Sequence, residues 1–73
     1  MLILYGTEGC HLCHNAQSLL QKMNLKWIDV DIIEQQELMV LYETRIPVLK
    51  GDNRELNWPF NEHDILALLT DQT

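Results

Sequence analysis

Seventy-three residues suffice for one small domain and leave no room for a second. Apolar residues make up 47% of the chain and charged residues 22%, the proportions of a folded soluble domain and not of a disordered one. Five Lys/Arg against eleven Asp/Glu give a formal charge of −6, the wrong sign for neutralising phosphates, so nucleic acid and anionic membrane drop out as expected partners.

Leu2 to Tyr5 is a continuous apolar run ending at Gly6, which predicts a short central strand buried on both faces. From Cys10 to Met23, residues Leu12, Ala16, Leu19, Leu20 and Met23 recur at helical spacing while His14, Gln17, Ser18 and Gln21 turn away, predicting an amphipathic helix. Ile28, Val30 and Ile32 then alternate with Trp27, Asp29 and Asp31. That is the period of a strand with one face in the core, and its two outward acids would blunt a sheet edge. Glu34 to Tyr42 holds Leu38, Leu41 and Tyr42 at helical spacing and predicts a second helix. Ile46 to Lys50, the turn-forming Gly51-Asp52-Asn53, and Arg54 to Asn57 read as a hairpin. Asn61 caps a last helix carrying Ile65, Leu68 and Leu69. Phe60 and Ile65 stand at the positions of a hydrophobic staple, and Asp64 favours the positive helix end. The resulting order is β-α-β-α-β-β-α, a single α/β domain over residues 1–73 with a parallel crossover first and an antiparallel hairpin later. Its sheet is mixed and flanked by helices.

The strictly apolar runs reach only five residues, against the roughly 20 that span a bilayer. No basic leader is seen, so the expected location is the reducing cytosol. Two cysteines there are reactive or metal-binding, not a structural framework. They form a C-x-x-C, Cys10-His11-Leu12-Cys13, where the first strand turns into the first helix. Cys10 falls in the first helical turn, where unpaired N–H groups and the helix dipole favour an anion and so its thiolate. Cys13 shares the inward side with Ala16 and Leu20, which predicts a buried thiol within reach of Cys10. The roles are then unequal: Cys10 attacks a disulfide, and Cys13 resolves the mixed disulfide. Gly9 permits close backbone approach beside Cys10, and Gly6 lets the strand turn sharply into the loop.

The strand, the C-x-x-C at a helix start, the element order and Ile46-Pro47-Val48 together resemble a glutaredoxin of the thioredoxin-like superfamily. The resemblance covers nearly the whole chain and implies a four-stranded mixed sheet flanked by three helices. It also implies thiol-disulfide oxidoreductase activity with no required metal or organic cofactor. By the same resemblance Pro47 follows a cis bond and faces the cysteine pair. A cis turn there would expose the N–H and C=O of Ile46 to bind a substrate backbone like an added strand. Two departures stand out. His11-Leu12 replaces the family's usual Pro-Tyr, and a histidine cation beside Cys10 would stabilise its thiolate. Asn57-Trp58-Pro59-Phe60 replaces the family's Gly-Gly, and with Glu8 before the motif this predicts weak glutathione binding. Trp58 either lines the substrate groove or packs under the last helix with Phe60.

Other readings of the same residues are weaker. Cys10-His11-Leu12-Cys13-His14 fits a c-type haem motif, but haem attachment requires export and the strand-first pattern is unlike a helical cytochrome. Zinc would need ligands crowded at one helix start, with His63 far away in sequence. A metal or iron–sulfur carrier through Cys10, and a thioredoxin-like binding module without turnover, remain the alternatives. The expected partners are a disulfide-containing protein or small thiol and a reducing partner, glutathione or a reductase, acting on a monomer.

Overall fold

The computed structural model describes residues 1–70. Four strands form one sheet in the order β2-β1-β3-β4: β1 (Ile3–Gly6), β2 (Ile28–Asp31), β3 (Val48–Lys50) and β4 (Glu55–Asn57). β1 pairs parallel with β2 and antiparallel with β3, and β4 closes the hairpin on β3. Three helices flank the sheet: α1 (His11–Lys22), α2 (Gln36–Tyr42) and α3 (Glu62–Thr70). Among the described residues no helix is long and apolar enough to cross a membrane.

β1 is buried on both faces because strand alternation sends its residues into two separate cores. Leu2 and Leu4 enter one with Ala16, Leu20, Leu49, Phe60, Ile65 and Leu68, under α1 and α3. Tyr5 enters the other with Ile32, Tyr42 and Val48, under α2. Tyr5 and Tyr42 stack there with ring centroids 4.4 Å apart.

Two faces differ from the sequence expectation. In β2, Ile28 is 47% exposed, while Trp27, expected outward, packs against the α1/α3 core. Period-2 alternation separates two faces but cannot say which is covered, and here helices lie on both. The α2-side core takes in Val30 but stops short of Ile28. Asp29 turns toward α1, where its Oδ1 accepts from Trp27 Nε1 at 2.8 Å and Gln17 Nε2 at 3.1 Å. In the second helix, a single 3₁₀ turn (Ile32–Glu34) precedes α2, and Leu41 is 57% exposed. With seven residues, α2 presents one short face, Leu38, Met39 and Tyr42, to the sheet. Leu41 lies outside that face.

The last helix starts as its sequence signals indicate. Asn61 Oδ1 accepts from the Asp64 N–H at 2.9 Å, and Asp64 Oδ2 accepts from the Asn61 N–H at 3.0 Å, a reciprocal capping box.

Candidate active site

The strand register gathers the site at one end of the sheet. β1 ends at Gly6, whose partner on β2 is Asp31. On the other side Tyr5 pairs with Val48, so one step further Gly6 lies beside Pro47. Val48 pairs with Asn57, and the next residue, Trp58, donates its N–H to the Pro47 carbonyl at 3.2 Å. By alternation from Leu4 and Leu49, the positions of Gly6, Pro47 and Asp31 share the face that α1 covers.

The N-terminal turn of α1 sits over Gly6. Cys10 is the N-cap, one residue before the first helical turn in which the sequence had placed it, with φ −82° and ψ 108°. Its Sγ accepts from the Cys13 N–H at 3.2 Å, so the sulfur occupies the place of a capping oxygen at the positive end of the helix. Its carbonyl accepts the His14 N–H at 3.2 Å, closing the first turn. Cys10 and Cys13 are joined by a disulfide, with Cα atoms 5.2 Å apart. The two sulfurs differ in access: Cys10 is half-buried, and Cys13 is only 4% exposed.

Gly6 has a sharper role than turning the chain. A Cβ built there would lie 2.8 Å from Cys13 Sγ, so the bare backbone is what lets the second sulfur settle on the sheet. Gly9 is required for a different reason than close approach: its φ is +80°, which glycine adopts freely, and a Cβ there would meet nothing within 4 Å.

The remaining predicted site residues surround this pair unevenly. The Ile46–Pro47 and Trp58–Pro59 bonds are both cis. Pro47 is buried and Ile46 half-buried. The Ile46 N–H is not open to a substrate, because it donates to the Tyr42 carbonyl at 3.1 Å and finishes α2. Among the described residues no backbone N–H is hydrogen-bonded to the Ile46 C=O. Trp58 is half-buried, packed on the α1/α3 core with its ring edge-on to Phe60 at 5.0 Å between centroids. His11 is exposed, and so, against the helical-face expectation, is Leu12 at 44%. The inward stripe of α1 runs through Cys13, Ala16 and Leu20, leaving Leu12 at its margin beside the disulfide.

A cluster beneath the Ile46 loop holds it in place. Arg45 Nη2 pairs with Glu55 Oε1 at 3.1 Å, Arg45 Nη1 donates to Asn57 Oδ1 at 3.3 Å, and Tyr42 Oη donates to Glu55 Oε2 at 2.8 Å. Burial first, then the hydrogen bond to Glu55 and its negative charge, push the Tyr42 phenol up to about 12.

On the β2 side the sequence reading missed a groove of about 230 Å³ beside the second sulfur. Cys13, His14, Gln17, Glu8, Asp29 and Asp31 are among its lining residues. Its signal was present in the alternating acids of β2, which belong to the face toward α1 and not to solvent alone. Among the described residues no group of three or more His, Cys, Asp or Glu is arranged to hold a metal ion.

The sequence profile of the Glutaredoxin-like domain family (DUF836) matches residues 1–70. The chain belongs to the glutaredoxin-like family. Its sheet order and helices are those of a thioredoxin-like α/β fold, and structural neighbours agree. The X-ray structure of target protein XcR50 from X. campestris has a TM-score of 0.85 at 34% identity, covering 97% of each chain. The solution structure of protein Ne2328 from Nitrosomonas europaea has a TM-score of 0.75 at 30% identity, covering 93% of this chain and 87% of the other. A mutant form of the thioredoxin-like protein BC3987 shares the fold at 18% identity, with a TM-score of 0.71 and 94% and 99% coverage. Among curated proteins none matches the chain. In this glutaredoxin-like chain the C-x-x-C pair stands as a disulfide at the start of α1, an arrangement suited to redox exchange.

Proposed function

We propose that this glutaredoxin-like chain is a thiol-disulfide oxidoreductase that exchanges its Cys10–Cys13 disulfide with a dithiol, and the reverse, in a reducing cytosol. The observation that carries the reading is the inequality of the two sulfurs: one caps a helix and belongs to a half-buried residue, the other belongs to a buried residue packed on Gly6. In the reducing direction the Cys10 thiolate attacks a substrate sulfur, the substrate S–S bond breaks, and one substrate thiolate leaves. Cys13 then attacks Cys10 Sγ of the mixed disulfide, releasing the second thiolate. Two electrons pass to the substrate, and the internal disulfide forms. Ile46 C=O and Trp58 form the platform on which the substrate backbone lies, with Gly9 and His11 at its edge; Pro47, expected to face the substrate, is fully buried and shapes the Ile46 loop from beneath. No metal or organic cofactor enters these steps.

Glutathione is a poor ligand in this reading, because Trp58 occupies the place where the resembled family has bare Gly-Gly backbone. The electron donor is then another thiol or a reductase, and the protein acts as a monomer on a disulfide-bearing polypeptide. The test is a pair of variants assayed for reduction of a peptide disulfide. Cys10→Ser abolishes turnover and forms no adduct, whereas Cys13→Ser accumulates a covalent adduct through Cys10. Turnover retained in Cys10→Ser, or partner docking with no exchange in the parent chain, overturns the proposal in favour of a binding module.

A further inference from the structure

The groove on the β2 side is lined in part by Cys13, the inner member of the disulfide, but has no part in the exchange steps above. Three carboxylates line it, Glu8 from the loop before α1 and Asp29 and Asp31 from β2, with His14 the one basic side chain among its lining residues. Cys13 shares the lining of this one groove with the carboxylates, and charges closer together than the Debye length of about 10 Å at 0.1 M salt act on one another with little screening by salt. The rest of the charge distribution reinforces this. Lys22 ends α1, Lys26 precedes β2, and Lys50 and Arg54 flank the hairpin turn, all at the end of the sheet opposite Gly6. Arg45, the remaining basic residue, is engaged by Glu55 on the α2 face. The carboxylates at the disulfide are therefore not neutralised by neighbouring Lys or Arg. Two of the three are also held in position: Asp29 by Trp27 and Gln17, and Asp31 by accepting the Ile33 N–H on its Oδ1 at 3.1 Å.

We infer that this acidic wall selects by charge the thiol that reacts with the Cys10–Cys13 disulfide, favouring thiols flanked by cationic groups and disfavouring anionic ones. The inference rests on the proposed exchange reaction and names its thiol partner: a cysteine set among Lys or Arg side chains. Like charges brought together raise the free energy of encounter, and opposite charges lower it and speed association at low salt. The chemistry is unchanged by the selection. One thiolate attacks Cys10 Sγ, breaking the internal disulfide and leaving Cys13 as thiolate; a second thiolate attacks the mixed disulfide and leaves with the first as RSSR. Two electrons and, in water, two protons end on Cys10 and Cys13.

The experiment measures reduction of the oxidised protein by cysteamine, 2-mercaptoethanol and glutathione, which are cationic, neutral and anionic, with each rate expressed per thiolate. The same thiols acting on a small uncharged disulfide supply the reference. At 10 mM salt the cysteamine-to-glutathione ratio is expected to exceed the reference ratio by about tenfold, and at 0.5 M salt by no more than about twofold. Glu8→Gln lowers the low-salt ratio, and adding Asp29→Asn and Asp31→Asn, which keep the amide oxygen as acceptor, brings it to the reference value. Glu8 is exposed, so the single variant remains interpretable if the triple variant does not fold. A ratio equal to the reference, or one unchanged by salt or by Glu8→Gln, overturns the inference. Failure of all three thiols to reduce the disulfide overturns instead the exchange reaction on which it rests.

Discussion

The two flanks of the disulfide are built from opposite materials. On the β3/β4 side lie a half-buried indole and the backbone of Ile46 over the buried ring of Pro47, a surface that offers shape and one carbonyl acceptor. On the β2 side lie three carboxylates around a groove. Between them stands one residue with no side chain, Gly6, paired with Asp31 on β2 and lying beside Pro47, the residue before β3. The comparison teaches that the site is set by a register position as much as by the C-x-x-C itself. The strand that ends in glycine lets a sulfur rest on the sheet, and each neighbouring strand then brings its own chemistry to that sulfur.

The most damaging way to break this arrangement is to fill its centre. Gly6→Ala puts a Cβ 2.8 Å from Cys13 Sγ, so either the sulfur or α1 must shift. Overpacking of this kind costs roughly 1–3 kcal/mol. Urea titration of the oxidised variant should show the loss, together with slower closure of the internal disulfide. A variant as stable as the parent would mean that the sulfur is not held on Gly6.

The proposed substrate platform is tested through the cluster beneath it. Tyr42→Phe removes the phenol that donates to Glu55 and should cost about 1 kcal/mol. It also carries a pH signature. The folded phenol is pushed up to about 12, above its ordinary 10.0, so folding favours the protonated form. That contribution is fully present below pH 10 and is lost as pH rises toward 12. Denaturation measured across that window should show the alkaline loss in the parent and a smaller one in Tyr42→Phe; identical alkaline profiles would remove Tyr42 as its source.

A smaller effect is expected from Arg45→Met, which breaks a partly exposed pair with Glu55. About 1 kcal/mol or less of stability should go. The larger response should be a raised KM for a peptide disulfide, since Arg45 precedes Ile46. An unchanged KM would separate the cluster from the platform. The smallest effect belongs far from both flanks. Lys22 and Glu62 meet at 3.6 Å with both side chains more than half exposed, and Lys22→Gln should leave the melting temperature and the exchange rate unchanged within error.

Much of this was readable from residue order. The apolar run after Met1, the 3.6-residue stripe through Ala16 and Leu20, and the Gly51-Asp52-Asn53 turn each carry local chemistry that no tertiary contact overrides. The capping pair Asn61 and Asp64 was legible for the same reason. Ile28 and Leu41 were misread because periodicity gives relative orientation only; which face is covered depends on the length and placement of a helix elsewhere in the chain. The acidic wall was hidden similarly. Asp29 and Asp31 look like solubility charges until the register pairs Asp31 with Gly6 and sets α1 above them. The engaged N–H of Ile46 was equally illegible, because it depends on how far α2 runs before β3 begins.

The central claim is that the two sulfurs are chemically unequal because one caps a helix and the other is packed on the sheet beside carboxylates. Its most direct measurement is alkylation of the fully reduced protein across a pH series, with each cysteine quantified separately by mass spectrometry. Cys10 should react well below the pH at which a free thiol with a pKa of about 8.5 does, and Cys13 should lag behind it throughout. Two superimposable profiles, both with the midpoint of a free thiol, would contradict the account.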